Sequence, residues 1–369
     1  MTHKAPDPAT RPQMGALTGI RGLAAWFVVF YHIRLSLTSI LPAPVIAFLA
    51  KGYLAVDLFF ILSGFVMWYT YADRLRQDGK VAAGQFLWRR MARIWPLHLL
   101  VLAGFAALFG LFYVTGRDTA GYPLAELPLH ILLAQNWGLT RELSWNHPAW
   151  SISTELGAYL MFPLFVWAAR WEAMRTALLL GLAAVLLGGL AAIFALGDGH
   201  DLGHDIPRLG LWRCLSEFTL GNLLCIVWQR WRTIRHTGVI ALLVSLLGAA
   251  VGIGLGLEET VWLPFAFAAG LLALACGDNG VTRALGRGPL LYLGEISYST
   301  YLVHFFLFIL YKLAFVDASL QIGWTGLALF SLLLLAVSAA LYHGWEKPAQ
   351  RWLNRRAPAL RRAEPAPSP

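Results

Sequence analysis

Residues 176–196 read TALLLGLAAVLLGGLAAIFAL, an apolar run without a single charge. A helix of this length rises about 30 Å at 1.5 Å per residue, which matches the hydrocarbon thickness of a bilayer. The stretch is therefore expected to cross a membrane. Comparable blocks recur at about 16–37, 53–72, 94–114, 149–168, 209–228, 237–256, 260–276, 290–311 and 323–345, making ten in all. Across the 369 residues 58% are hydrophobic and 13% charged, against roughly 45–50% and about 25% in a soluble domain. A water-soluble globule is excluded. The expected fold class is all-α, a polytopic membrane bundle of about ten transmembrane helices.

An even number of spans puts both termini on one side, and the positive charges indicate which. With a cytoplasmic N-terminus, 21 of the 29 Lys and Arg fall in cytoplasmic segments, seven fall outside and Arg21 lies within the first span. That asymmetry predicts N-in and C-in. The domain reading follows: a cytoplasmic tail over 1–15, the bundle over 16–345, and a Pro/Arg/Ala-rich cytoplasmic tail over 346–369 expected to be disordered. No small-residue cleavage site closes the first apolar block, so that helix is expected to be retained. The net charge of +9 sits between apolar blocks, where it sets topology rather than binding nucleic acid. Cys214, Cys225 and Cys276 offer neither a disulfide framework nor paired metal-ligand spacing.

Two stretches are not plain spans. Residues 115–148 hold a short apolar piece, Leu127 to Trp137, too brief to cross and expected to be a surface or re-entrant helix. Residues 197–207, GDGHDLGHDIP, carry His200, Asp201, His204 and Asp205, whose spacing is unspecific for a metal and reads as a solvated turn.

A charge at bilayer depth is expensive unless it meets a partner or a wet cavity, so ionisable residues inside apolar blocks are the functional candidates. Arg21 and His32 lie eleven residues apart on the first span, close to three turns, and so share one face about 16 Å apart along the axis. Asp57 stands near the outer end of the second span, either as a surface charge or as a partner orienting His32; Gly52, Ser63 and Gly64 on that span suit close helix packing. Arg89, Arg90 and Arg93 precede the third span, with His98 just inside it, and Arg90 and Arg93 form an i, i+3 fork suited to phosphate oxygens. Such a cluster also serves as a topology signal or a lipid-headgroup contact. The fourth span opens with Trp150, Ser151 and Glu155, a cap-like pattern that places Glu155 near the depth of His32. Tyr301 and His304 sit one turn apart on the ninth, where interhelical hydrogen bonding is the plainer account.

Taken together these elements resemble the acyltransferase 3 family of ten-helix membrane O-acyltransferases that modify bacterial glycans. The match rests on Arg21 and His32, the Phe59-Phe60-x-Leu62-Ser63-Gly64-Phe65 core, Arg90-x-x-Arg93, Trp150-Ser151-x-x-x-Glu155 and Tyr298-x-x-Tyr301-Leu302-x-His304, spread over residues 16–345. The resemblance implies transfer of an acyl group, usually acetyl, from cytoplasmic acyl-CoA to a glycan or lipid-linked saccharide hydroxyl beyond the membrane. It also implies a bacterial inner-membrane location, association with polysaccharide-synthesis machinery and no metal. On that basis His32 is the expected general base or acyl carrier, Glu155 or Asp57 would fix its tautomer, and Arg21 would hold the donor or steady developing negative charge. Arg89, Arg90 and Arg93 with Ser63 are assigned to the donor; Trp150, Ser151, Tyr301 and His304 are assigned to the acceptor. Some members carry a fused hydrolase-like domain, for which these 369 residues leave no room. A proton-coupled transporter uses similar buried charges, but it predicts inverted repeats and broken helices, and neither is visible.

Overall fold

The computed structural model describes residues 14–197, 199 and 201–357. The expected tails over 1–13 and 358–369, and His200, lie outside the described residues.

Among the described residues the chain is helical, with no strands. The helices are α1 (Gly15–Ile33), α2 (Ala43–Leu49), α3 (Ala55–Val114), α4 (Leu127–Leu132), α5 (Ala149–Ala168), α6 (Thr176–Leu196), α7 (Ile206–Trp231), α8 (Thr237–Gly254), α9 (Glu259–Cys276), α10 (Gly280–Leu285), α11 (Gly288–Glu295), α12 (Ser297–Phe315), α13 (Trp324–Leu341) and α14 (Lys347–Arg355). Seven helical stretches among these residues are long and apolar enough to cross a membrane. The sequence reading separates ten apolar blocks; the difference has two sources. One stretch, residues 43–114, is continuous and takes in two of the expected blocks. The others are α5 and α7, which fall short in apolarity, α7 because Arg208, Arg213, Glu217 and Arg230 lie along it.

The cytoplasmic loop expected between the second and third blocks is itself helical. Helix α3 runs 60 residues and is interrupted only at Gly79, whose φ of 54° and ψ of −130° no helix contains. A Cβ there would touch nothing within 4 Å, so the backbone angle rather than crowding is what calls for glycine.

Helices α6, α8 and α13 bury few side chains and form the apolar perimeter. On the helices, the buried polar residues gather mainly on α3, α5, α7 and α12, and the partly buried Arg21 and His32 of α1 pack against them. The close approach of these helices depends on small residues, since apolar area provides little drive between helices already in hydrocarbon. A Cβ on Gly64 would stand 1.9 Å from the Phe218 carbonyl oxygen, and one on Gly221 would stand 1.9 Å from that of Ile61. The two glycines therefore clamp α3 to α7 backbone to backbone. Gly221→Val is expected to force these helices apart and destabilise the protein by several kcal/mol, more than the roughly 1–3 kcal/mol of ordinary overpacking because the obstacle is main chain. The check is the melting temperature of detergent-purified protein; a shift of a degree or less would refute the clamp.

The 115–148 segment contains the six-residue α4 and lies against the bundle end. His98 Nε2 donates to the His130 carbonyl at 2.7 Å, and His130 Nε2 is 2.9 Å from Ser144 Oγ, so the segment is tied down by buried polar contacts. The C-terminal expectation needs correction: residues 347–355, read as the start of a disordered tail, are the helix α14. Pro348 lies in its first turn, where a missing N–H is tolerated. Trp88 Nε1 holds the helix through the Leu353 carbonyl at 3.0 Å.

Candidate active site

Helices α1, α3, α5 and α12 enclose a cavity of about 180 Å³ whose polar lining includes Arg21, Ser63, Arg90, Arg93, Glu155 and Tyr159. Three guanidinium groups and one carboxylate thus face a single enclosed space. Glu155 Oε1 accepts from Ser63 Oγ at 2.5 Å and from Tyr159 Oη at 2.6 Å. Arg21 Nη2 donates to Ser297 Oγ at 3.2 Å. Arg90 Nη2 donates to Tyr71 Oη at 2.9 Å, while its Nε is buried without a hydrogen-bond partner. Arg93 pairs with Glu346, whose other oxygen accepts from Ser299 Oγ at 2.6 Å. Glu346 belongs to the π-helical turn Tyr342–Glu346 at the end of α13.

A wider cavity of about 530 Å³ opens beside the first, lined by Tyr71, Gln85, Arg89, Arg90, Gln350 and Asn354. Arg90 belongs to both walls and so stands between the two spaces.

At the opposite end of the inner cavity stands a histidine pair. His304 Nδ1 lies 2.6 Å from the Tyr301 carbonyl oxygen, and its Nε2 lies 3.1 Å from His32 Nδ1. A carbonyl oxygen only accepts, so His304 carries its proton on Nδ1 and offers a lone pair at Nε2. The proton on His32 must then be on Nδ1, where the Val28 carbonyl at 3.0 Å also accepts it. The Nε2 of His32 is left as the unprotonated nitrogen. Both ends of the Arg21/His32 stripe on α1 meet one neighbour, α12, through Ser297 and His304.

The family model described as "acyltransferase domain" matches residues 14–343. The chain belongs to the acyltransferase 3 family. It is similar to "Acyltransferase MdmB" of Streptomyces mycarofaciens, at 30% identity over 96% of each chain. It is also similar to "Protein 2 in picA locus" of Rhizobium radiobacter, at 37% identity over 48% of this chain and 94% of the relative. "Exopolysaccharide production protein ExoZ" of Rhizobium meliloti is 29% identical over 69% of this chain and 76% of its own. No solved structure matches the chain. The protein is thus an integral membrane acyltransferase that transfers groups other than aminoacyl groups.

Several site expectations change once this acyltransferase is seen folded. Asp57 is no surface charge and does not orient His32. It forms a bidentate pair with Arg213, Oδ1 to Nε at 2.7 Å and Oδ2 to Nη2 at 2.6 Å, with side-chain exposures of 0% and 1%. Arg213 also donates to the Leu202 carbonyl at 2.8 Å and lies over the Trp150 ring. Glu155 binds Ser63 and Tyr159 rather than His32, so Ser63 orients a carboxylate instead of holding the donor directly. The partner of His32 is His304, which had been set among acceptor contacts. Trp150 does not line the inner cavity; it packs edge-on to Phe60 and faces a small polar recess with His147 and Asn146. The Arg90/Arg93 fork is half engaged by Glu346, and Arg89 lines the outer space and a small neighbouring recess with Asp78 rather than the inner cavity.

His32 and His304 are not on the inner cavity wall either. That wall ends at Ser151, Phe59 and Tyr301, and the ring centre of Tyr301 is 6.0 Å from that of His304. One layer of side chains therefore separates the guanidinium cluster from the histidine pair. Tyr301 Oη is tethered to Ser151 Oγ at 2.7 Å and to the Pro148 carbonyl at 3.1 Å.

Arg213, Glu217 and Glu346 were not singled out from the sequence. Arg213 and Glu217 sit inside the apolar block at 209–228, so the criterion that found Arg21 and His32 finds them when applied to that block. Glu346 falls one residue past the last block, where an acid beside Lys347 looks like ordinary interface charge. Among the described residues no three His, Cys, Asp or Glu gather as a metal site. In the acidic loop Asp201 Oδ1 accepts from Gly203 N at 2.8 Å, which is turn chemistry.

Proposed function

We propose that this protein moves a small acyl group, acetyl by preference, from cytoplasmic acyl-CoA to a hydroxyl of an extracytoplasmic or lipid-linked glycan. The observation that carries the reading is a partly buried cluster of Arg21, Arg90 and Arg93 around one cavity, one side chain away from a histidine pair. Guanidinium groups lining one cavity suit an anionic donor. An imidazole with a free Nε2 suits removal of a hydroxyl proton. The name of the ExoZ relative, an exopolysaccharide production protein, supports a polysaccharide acceptor and an association with polysaccharide assembly.

In this reading the bundle has ten spans: α1, the two halves of α3 on either side of Gly79, α5 to α9, α12 and α13. The N- and C-termini are cytoplasmic, and the membrane is the bacterial inner membrane. His32 Nε2 takes the proton of the acceptor hydroxyl as its oxygen attacks the thioester carbonyl. Arg21, in the inner cavity, holds the arm of the donor that leads to the thioester. The new C–O bond forms, the C–S bond breaks, and the departing thiolate recovers the proton from His32. In a two-step variant Nε2 itself carries the acyl group between thioester and alcohol. Either route requires Tyr301 to swing aside, which breaks two hydrogen bonds worth about 1 kcal/mol each and so is readily reached. Mass spectrometry of surface glycans and lipid-linked precursors, from cells with and without the gene, tests the reading. Loss of one acyl increment is expected; identical glycan masses would overturn it.

A further inference from the structure

The inner cavity, at about 180 Å³, admits the slender acyl-pantetheine end of a thioester donor but not a nucleotide. Small-molecule sites run from about 300 to 1,000 Å³, and the outer cavity of about 530 Å³ falls within that range. Its lining contains two arginines, three carboxamides and no acid. Arg89 and the side chains of Gln85, Gln350 and Asn354 have no hydrogen-bond or ion-pair partner among the described residues, and Arg90 turns a buried, unpartnered Nε at the junction of the two spaces. Gln350 and Asn354 are i, i+4 on α14, so both project from one face of that helix toward Gln85 and Arg89 on α3. The helix is held in place by the Trp88 bond to Leu353 and, one turn before it, by the Trp345 Nε1 bond to the Pro96 carbonyl at 2.9 Å. The cavity thus has unengaged carboxamide donors and acceptors around a positive floor, open to solvent at Gln85, Arg89 and Asn354.

We infer that the outer cavity is a nucleotide-end site. Arg89 and Arg90 bind the phosphates of the donor, and Gln85, Gln350 and Asn354 bind its base and ribose, while the pantetheine arm passes Arg90 into the inner cavity. The inference rests on the proposed use of acyl-CoA and assigns a binding role to α14, which the sequence alone presents as a basic tail.

The test uses full-length protein in detergent and the nucleotide head alone, adenosine 3′,5′-bisphosphate, titrated calorimetrically. Wild-type protein binds it. Gln350→Glu and Asn354→Asp, which place a carboxylate beside the phosphates without changing side-chain size, weaken binding at least about tenfold each. A second readout is the ratio of kcat/KM for acetyl-CoA to that for acetyl-pantetheine, which falls by the same factor in both variants. Undiminished binding of the bisphosphate by both variants, or no binding by wild type, overturns the site. A wild-type protein that binds the bisphosphate yet releases no coenzyme A from acetyl-CoA leaves the site standing and overturns the proposed transfer reaction instead.

Discussion

Asp57→Ala is expected to remove most of the protein from the membrane. The carboxylate is wholly buried and, among the described residues, is the sole acidic group hydrogen-bonded to Arg213. Its removal leaves a buried guanidinium without its bidentate partner and with only the non-bonded Glu217 carboxyl nearby, and breaking a buried pair typically costs about 3–5 kcal/mol. That is a large part of the roughly 5–15 kcal/mol by which a folded protein exceeds its unfolded state. Asp57→Ala and Arg213→Ala should therefore each lower the melting temperature and the amount recovered from membranes. Asp57→Asn combined with Arg213→Met, which removes both charges, should recover much of the loss. Whatever Asp57→Ala protein does fold should turn over at close to the wild-type rate per molecule. This outcome separates a packing role for Asp57 from the role in orienting His32 that its position in the sequence suggests. Normal abundance with a collapsed rate would restore the latter.

The second large effect belongs to His32. His32→Ala should lower acyl transfer by about 10²–10⁴-fold or more, the range associated with a lost general base, and should leave melting temperature and abundance nearly unchanged. The predicted contrast is with His304→Ala. His304 fixes the proton of His32 on Nδ1, but the Val28 carbonyl accepts from the same nitrogen and remains when His304 is gone. Losing one of two tautomer-fixing contacts of about 1 kcal/mol should cost roughly tenfold or less. Rates measured on purified enzyme with labelled acetyl-CoA make the comparison. Equal losses in the two variants would mean that the pair acts as a unit, with the proton passing through His304.

How far these roles are legible in the sequence depends on which geometric quantity they need. Ionisable residues in or beside apolar blocks can be selected from the sequence, and Arg21, Arg90, Arg93 and Glu155 are brought to one cavity, although Glu155, expected near the depth of His32, lies among the arginines instead. Azimuth between helices does not follow. Asp57 and Ser63 are six residues apart on α3, which at 3.6 residues per turn puts them about 120° apart on the cylinder. Ser63 therefore faces the cavity while Asp57 faces α7. Nothing in the local sequence tells which of the two looks toward α1. The pairing of His32 with His304 joins positions 272 residues apart, and that of Arg93 with Glu346 joins positions 253 apart. Such contacts exist only once the bundle closes. The backbone between the apolar blocks at 53–72 and 94–114 was also beyond a hydropathy reading, because residues 73–93 are charged enough to resemble a loop yet continue the helix on both sides of Gly79. The Asp78-Gly79 step marked the bend but not the helix around it.

The most direct test places the purified enzyme in sealed proteoliposomes and supplies acetyl-CoA, labelled separately in the acetyl group and the nucleotide, on the side bearing Arg89. A saccharide acceptor is enclosed on the other side. The account predicts that the acetyl label appears on the enclosed saccharide while the nucleotide label stays outside as free coenzyme A, with neither movement in His32→Ala. Passage of intact acetyl-CoA or of unmodified saccharide, with no thioester cleaved, would identify a transporter and contradict it.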